Sequence, residues 1–177
     1  MFGTALFFQQ VHLAEAKGLT HGDIVRLFPV YTVATAVAAI GCGLAIDRWG
    51  AIQLVPIIPL PMAAGFALMG LSDAGYAMAV GFALVGVTGG AHGTISGAYW
   101  AEIYGTRFIG AIKALATALM VIGSAIGPAI TGWGIDWGVD FPGQMVWYAI
   151  YMLVVAAWSV FVVSRIWPDM RVSDVSV

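Results

Sequence analysis

The chain carries little charge for its length. Seven Lys and Arg and nine Asp and Glu among 177 residues make charged side chains 9% of the total, against roughly 25% in a soluble domain. That is too few to clothe a water-facing surface of this size, which argues against a soluble enzyme and against a disordered chain. The net charge of −2 offers no basic field for phosphates, so no nucleic-acid partner is expected. A single cysteine, Cys42, excludes an internal disulfide framework and any multi-cysteine metal site. His12, His21 and His92 lack metal-ligand spacing, and no G-x-x-x-x-G-K-[ST] run is present. No metal, cofactor or P-loop nucleotide is expected. What abounds is apolar: 61% of residues are hydrophobic and the mean hydropathy is +0.94. This is the composition of a polytopic membrane protein.

A helix crosses the ~30 Å hydrocarbon core with about 20 apolar residues. Five such runs lie between clusters of charge and turn residues: Ile24–Ile46, Ile52–Leu71, Tyr76–Trp100, Ile109–Ile135 and Met145–Val163. The second is predicted to run on despite Pro56, Pro59 and Pro61. A sixth segment, Phe2–Ala14, comes first in the chain and reaches only about 20 Å as a helix, so it is either interfacial or missing its start. A secretory signal peptide is the alternative there. However, no positive charge precedes the apolar run, and Gln9, Gln10 and His12 interrupt it. A membrane β-barrel would need period-two alternation, which Phe82–Val87 and Ala114–Met120 do not show. Helices are the remaining way to satisfy the backbone in lipid.

Lys and Arg set the expected orientation. Arg48, Arg107, Lys113, Arg165 and Arg171 fall on one side and Lys17 and Arg26 on the other, which makes the first side, with the C-terminus, cytoplasmic. Trp133, Trp137, Trp147 and Tyr148 then form an aromatic belt around the last outer loop. The chain also carries a faint internal duplication. Ala14-Glu15-x-x-Gly18 recurs as Ala101-Glu102-x-x-Gly105, and Gly43-x-x-Ile46-Asp47 recurs as Gly132-x-x-Ile135-Asp136, with Gly138 answering Gly50 after a one-residue slip. Three spans separate each copy from its twin, so the twins lie on opposite sides of the membrane. That is an inverted three-plus-three repeat, a transporter pattern. Chance matching among 23 glycines is the competing explanation.

The turn Gly43-Leu-Ala-Ile-Asp47-Arg48-Trp49-Gly50 closes one span and opens the next. Gly43 is expected to allow close helix approach and Gly50 a tight reversal. Asp47 and Arg48 are either a conformational latch or a topogenic turn in which Asp47 caps the following helix. This turn resembles the signature cytoplasmic loop of the major facilitator superfamily, in the copy between the eighth and ninth of twelve helices; Ala51-Ile52-Gln53 stands where that family usually carries basic residues. Trp100–Ile112 is similar to the loop between helices ten and eleven of monocarboxylate and oxalate/formate-type carriers. Gly123-Ser-Ala-Ile-Gly127-Pro128 resembles the superfamily's glycine–proline motif. The resemblance covers the whole chain as helices seven to twelve. It implies that six N-terminal helices are absent and that Met1 lies within helix seven.

Between Tyr76 and Trp100, Gly86, Gly89, Gly90, Gly93 and Gly97 form three overlapping G-x-x-x-G pairs, a pattern that lets helices pack backbone to backbone. Thr88, His92, Ser96 and Tyr99 share a polar stripe on the same span, and Gln9 and His12 share a face of the first segment. A polar stripe in lipid is costly unless it faces a cavity or another helix. The resemblance implies that the first helix of each repeat lines the substrate path, so these residues, with Tyr31 and Thr35, are the expected cavity lining. Interhelical hydrogen bonding alone is the competing reading. Gly89, Gly93, Gly97, Gly123, Gly127 and Pro128 are expected as packing or hinge positions. Glu102 is expected at the surface, and Lys113 as a cytoplasmic anchor.

The expectation is an all-α membrane protein: a six-transmembrane-helix bundle of two inverted three-helix repeats, half of a major facilitator fold, with its first helix truncated. It forms one domain over residues 1–177, with repeat A at 1–72, repeat B at 75–166 and a cytoplasmic tail at 167–177. The expected function is secondary transport of a small solute across the inner or plasma membrane by alternating access. The resemblance hints at an organic anion, and the missing six-helix half or a second copy would be the partner. The alternative is a scaffold or receptor-like bundle that moves nothing. An intramembrane enzyme lacks a paired acid and base or a metal set within the spans.

Overall fold

The computed structural model describes residues 2–174, with side chains up to 165. All regular structure among the described residues is α-helical: α1 (Phe2–Phe8), α2 (Gln10–Ala16), α3 (His21–Val25), α4 (Phe28–Trp49), α5 (Ala51–Leu54), α6 (Pro59–Leu71), α7 (Gly75–Tyr104), α8 (Ile109–Asp136) and α9 (Phe141–Asp174). Five stretches are long and apolar enough to cross a membrane: His21–Trp49, Ala51–Leu71, Gly75–Tyr104, Ile109–Asp136 and Phe141–Arg165. A helix satisfies its own backbone groups, which is what the hydrocarbon core demands.

Prolines cut where their missing N–H removes a rung of the helix ladder. Pro29, in the first turn of α4, leaves the carbonyl of Val25 without its usual donor, and the chain breaks there between α3 and α4. The run expected as one helix over Ile52–Leu71 is likewise divided. Pro56, Pro59 and Pro61 separate the single turn of α5 from α6, although the two still form one span. The first segment bends at Gln9 (φ −97°, ψ 17°), yet Gln9 N–H still bonds the Ala5 carbonyl and Leu13 N–H the Gln9 carbonyl, each at 2.9 Å. Thr20 and Asp23 close a reciprocal capping box at the start of α3. At the other terminus, α9 runs on to Asp174, so residues 167–174 continue the helix where a tail was expected. Residues 175–177 and the side chain of Arg171 lie outside the described residues.

The helix α7 is the hub: it packs along α4 on one side and α6 on another. α6 in turn packs on α9, and α1 on α8. Leu6, Leu13, Ile24, Phe66, Met69, Phe82, Phe141 and Met145 form the dry centre. Helices approach most closely where glycines fall. A methyl on Gly65 would stand 2.9 Å from the Gly81 carbonyl, and one on Gly70 would stand 2.7 Å from that of Pro142. In lipid, such van der Waals packing replaces the hydrophobic drive that water would supply. α4 and α8 are the outliers. α4 has no buried residue, and α8 buries only Gly127 and Thr131.

The duplication seen in the sequence has a backbone counterpart. Among the described residues, positive φ occurs at four glycines: Gly18 (+64°), Gly105 (+68°), Gly50 (+83°) and Gly138 (+87°). These are the four glycines that close the repeated patterns, whereas Gly43 and Gly132, inside them, are helical. Each terminates a helix in a conformation that a Cβ disfavours. The twins of each pair lie at opposite ends of the bundle. Gly50 and Gly105 share the end where Glu102 meets α5, and Gly18 shares the other end with the start of α9 and the end of α6.

Candidate functional site

Two clefts meet on α7. The central one, about 480 Å³, lies between α1, α4, α6, α7, α8 and α9, with Thr4, Tyr31, Thr88, His92, Ser124 and Tyr151 as its polar lining. The second, about 320 Å³, opens between the later turns of α7 and the first turns of α8. His92, Ser96, Trp100, Lys113 and Thr117 line it, and Gly93 and Gly97 form its floor. His92 and Met120 belong to both clefts.

The polar stripe of α7 therefore divides by position. Thr88 is buried and donates its hydroxyl to the Ile58 carbonyl at 3.2 Å, at the proline-broken entrance to α6. His92 is exposed to the clefts and has no hydrogen bond among the described residues. Ser96 returns its hydroxyl to the Gly93 carbonyl at 3.2 Å. Tyr99 lines a different cleft, of about 250 Å³, with Ile52 and Val55 beside it and Trp158 of α9 opposite. On α4, Tyr31 faces the central cleft, and its ring meets Phe7 edge-on at 5.1 Å. Thr35 sits in the seam between α4 and α7 instead. Its hydroxyl donates to the Tyr31 carbonyl at 2.8 Å and lies against Gly86.

Gln9 and His12 are absent from the lining of these clefts. With α1 laid against α8, the Gln9 amide lies beside Gly132, and the His12 Nε2 is buried without a partner among the described residues. The first segment reaches the central cleft through Phe2, Gly3 and Thr4. Thr4 and Ser124 carry no local sequence signal that would mark them as lining.

The glycine run of α7 also splits. Gly86 and Gly90 press on the Tyr31 and Thr35 carbonyls of α4, and Gly89 faces the Tyr31 hydroxyl. Gly93 and Gly97 touch nothing and border the open cleft. Gly43 and Gly123, expected to allow close approach, likewise have no neighbour within 4 Å of an added Cβ. Pro128 stands inside α8, one turn below a buried polar knot. There the Thr131 hydroxyl donates to the Gly127 carbonyl at 2.9 Å and meets the Tyr148 hydroxyl at 3.1 Å. The Gln144 amide donates to the Thr131 and Val139 carbonyls at 3.1 and 2.9 Å. Tyr148 is thus turned inward, while Trp133, Trp137 and Trp147 are exposed as a belt requires.

At the signature turn, Gly50 makes the tight reversal with φ +83°. Asp47 does not cap α5. The cap comes from Glu102 at the end of α7, whose carboxylate accepts from Ala51 N–H at 3.0 Å and Ile52 N–H at 2.9 Å. Glu102 is therefore engaged across the bundle, and a side chain on Gly50 would strike it. Among the described residues Asp47 has no partner, and Arg48 lies over the ring of its neighbour Trp49. At the opposite end, the side chain of Lys17 is 6% exposed. It pairs with Asp73 at 2.7 Å and donates to the Ser72 and Gly70 carbonyls, the last turn of α6. Neither role has a local sequence signal, because the partners lie more than fifty residues away or at that limit. The match of Glu102 with Glu15 in the repeat was the one available hint. No group of three His, Cys, Asp or Glu able to hold a metal occurs among the described residues.

Five membrane-length spans and a short first segment about a cleft, with four helix-ending glycines of positive φ, are the frame on which comparison with known families bears. The model of the Major Facilitator Superfamily matches residues 1–174. The chain belongs to that superfamily. It is accordingly a multi-pass membrane protein of a family that transports small solutes rather than one of enzymes. No curated protein and no solved structure matches it. The superfamily match does not single out the monocarboxylate or oxalate/formate subgroup.

Proposed function

We propose that the chain is one rocking bundle of a secondary active transporter, working by alternating access on a small organic anion such as a monocarboxylate. The observation that carries the reading is His92. It is an ionisable side chain deep in a span, it makes no internal hydrogen bond among the described residues, and it stands where two clefts join. Ionisable groups at such depth cost several kcal/mol unless they serve a pathway. Thr88, Tyr31 and Ser96 supply neutral hydrogen-bonding groups around it. Thr35 acts one layer back, in the α4–α7 seam, while Gln9, His12 and Tyr99 lie away from these two clefts.

The exposed apolar stripes of α4 (Val33, Val37, Ile40, Leu44) and α8 (Leu115, Leu119, Ile122, Ile126) support a second bundle facing the first, either an N-terminal six-helix half or another copy. The Gly43–Gly50 turn is the hinge edge at the cytoplasmic side of the inner or plasma membrane, with the C-terminus on that side by the distribution of Lys and Arg. The test is uptake of radiolabelled carboxylates, sugars and drugs by proteoliposomes, with the chain alone and with a six-helix partner supplied. Carboxylate uptake that needs the partner and is lost in His92→Ala supports the reading. Uptake by a monomer, or full uptake by His92→Ala, overturns it.

A further inference from the structure

The α7–α8 cleft is chemically one-sided. Lys113 lines it and forms no ion pair or hydrogen bond among the described residues, and no carboxylate is part of the lining. Lys113 also sits in the early turns of α8, a helix with no acidic residue in its first turn and no side-chain cap. A cation there works against the helix dipole, whose N-terminal end is already positive. Natural chains usually offset such a charge with an Asp or Glu, and here none faces it. Ser96 and Thr117 add hydroxyl groups, Trp100 adds an aromatic wall, and Gly93 and Gly97 leave the floor open.

His92 lies twelve residues before the end of α7 and Lys113 four residues after the start of α8, so they stand about 18 Å and about 6 Å below the helix ends. The cleft thus runs from a cation at its mouth to a histidine at its base, and His92 and Met120 open it into the central cleft.

We propose that this cleft is an anion-binding vestibule. Lys113 holds the carboxylate of a small organic acid at the mouth, and His92 receives it at the base before it passes to the central cleft. The assignment deepens the carrier reading and rests on it for the fate of the anion, but not for its binding.

The experiment uses the full chain in nanodiscs of phosphatidylcholine, titrated with radiolabelled lactate, oxalate and benzoate, with glucose as the uncharged control. At least one acid binds, glucose does not, Lys113→Gln weakens that binding by about tenfold or more, and Lys113→Arg retains it. Gly97→Leu keeps both charges but fills the floor, and it also abolishes binding, which separates lost space from lost charge. Three outcomes overturn the proposal: no binding of any of the three acids, equal binding by a folded Lys113→Gln chain, or a Lys113-dependent response to added phosphatidylglycerol alone. The last would make the cleft a lipid-headgroup site. Solute counterflow in proteoliposomes, measured in parallel, reports on transport independently, so loss of the vestibule and loss of the carrier reading are told apart.

Discussion

α7 contains two neighbouring glycine stretches of opposite use. Gly86, Gly89 and Gly90 are filled by the backbone and side chains of α4, whereas Gly93 and Gly97, on the next two turns, border empty space. The spacing is a run of overlapping G-x-x-x-G pairs, but only the first part of the run is a helix–helix contact. Absence of a side chain permits two things, a close neighbour or a cavity, and the choice between them is made by where the partner helix goes. α4 lies along the first stretch. α8, tied at its far end by the Thr131–Gln144–Tyr148 knot, stands away from the second.

That contrast can be tested from the strongest effect down. Gly90→Val drives a side chain into the Thr35 carbonyl and the Ala39 N–H, and it should cost about 3 kcal/mol or more of stability in a detergent unfolding titration. Gly86→Ala meets the Tyr31 carbonyl and the Ala34 methyl and should cost about 1–3 kcal/mol by the same measurement. Glu102→Ala strips the two buried N–H groups of α5 of their acceptor at the end of the open stretch. It should cost about 1–3 kcal/mol, with faster amide exchange confined to residues 51 and 52. Thr88→Val removes one hydrogen bond across the α6–α7 seam and should cost only about 0.6 kcal/mol. Gly97→Ala should leave stability unchanged or raise it by no more than about 0.5 kcal/mol, since the methyl meets nothing and favours the helix. A loss at Gly97 comparable to that at Gly86 would erase the distinction between the two stretches.

The sequence was legible where physics acts locally. Span lengths follow from the bilayer thickness, and the four helix-ending glycines were visible because rare Glu and Asp residues repeat beside them. The prolines of residues 56–61 are plain in the sequence, but three missing N–H groups so close together break the helix as well as interrupt the pattern, and leave α5 as a single turn. What escaped was tertiary. Gln9 and His12 share a helical face with the right spacing, yet neither lines the two main clefts: Gln9, at the bend between α1 and α2, lies beside Gly132, and the His12 Nε2, on α2, is buried. Glu102 reads as a surface charge and Lys17 only as a charge of the outer side, because nothing near them in sequence tells which helix end they will find. Lys113 looked like an anchor for the same reason, and only the gap left by α8 shows it beside a cleft.

The span from Ala51 to Leu71 is gripped by charge at both ends, by the Glu102 carboxylate at its first turn and by the buried Lys17 ammonium at its last carbonyls. Each sign matches the partial charge of the helix end it touches. The two grips come from the last turn of α7 and from the residue that closes α2. A rod clamped at both tips by two different levers cannot slide along either one. Cutting either grip would leave one tip of the rod free while the other stays held.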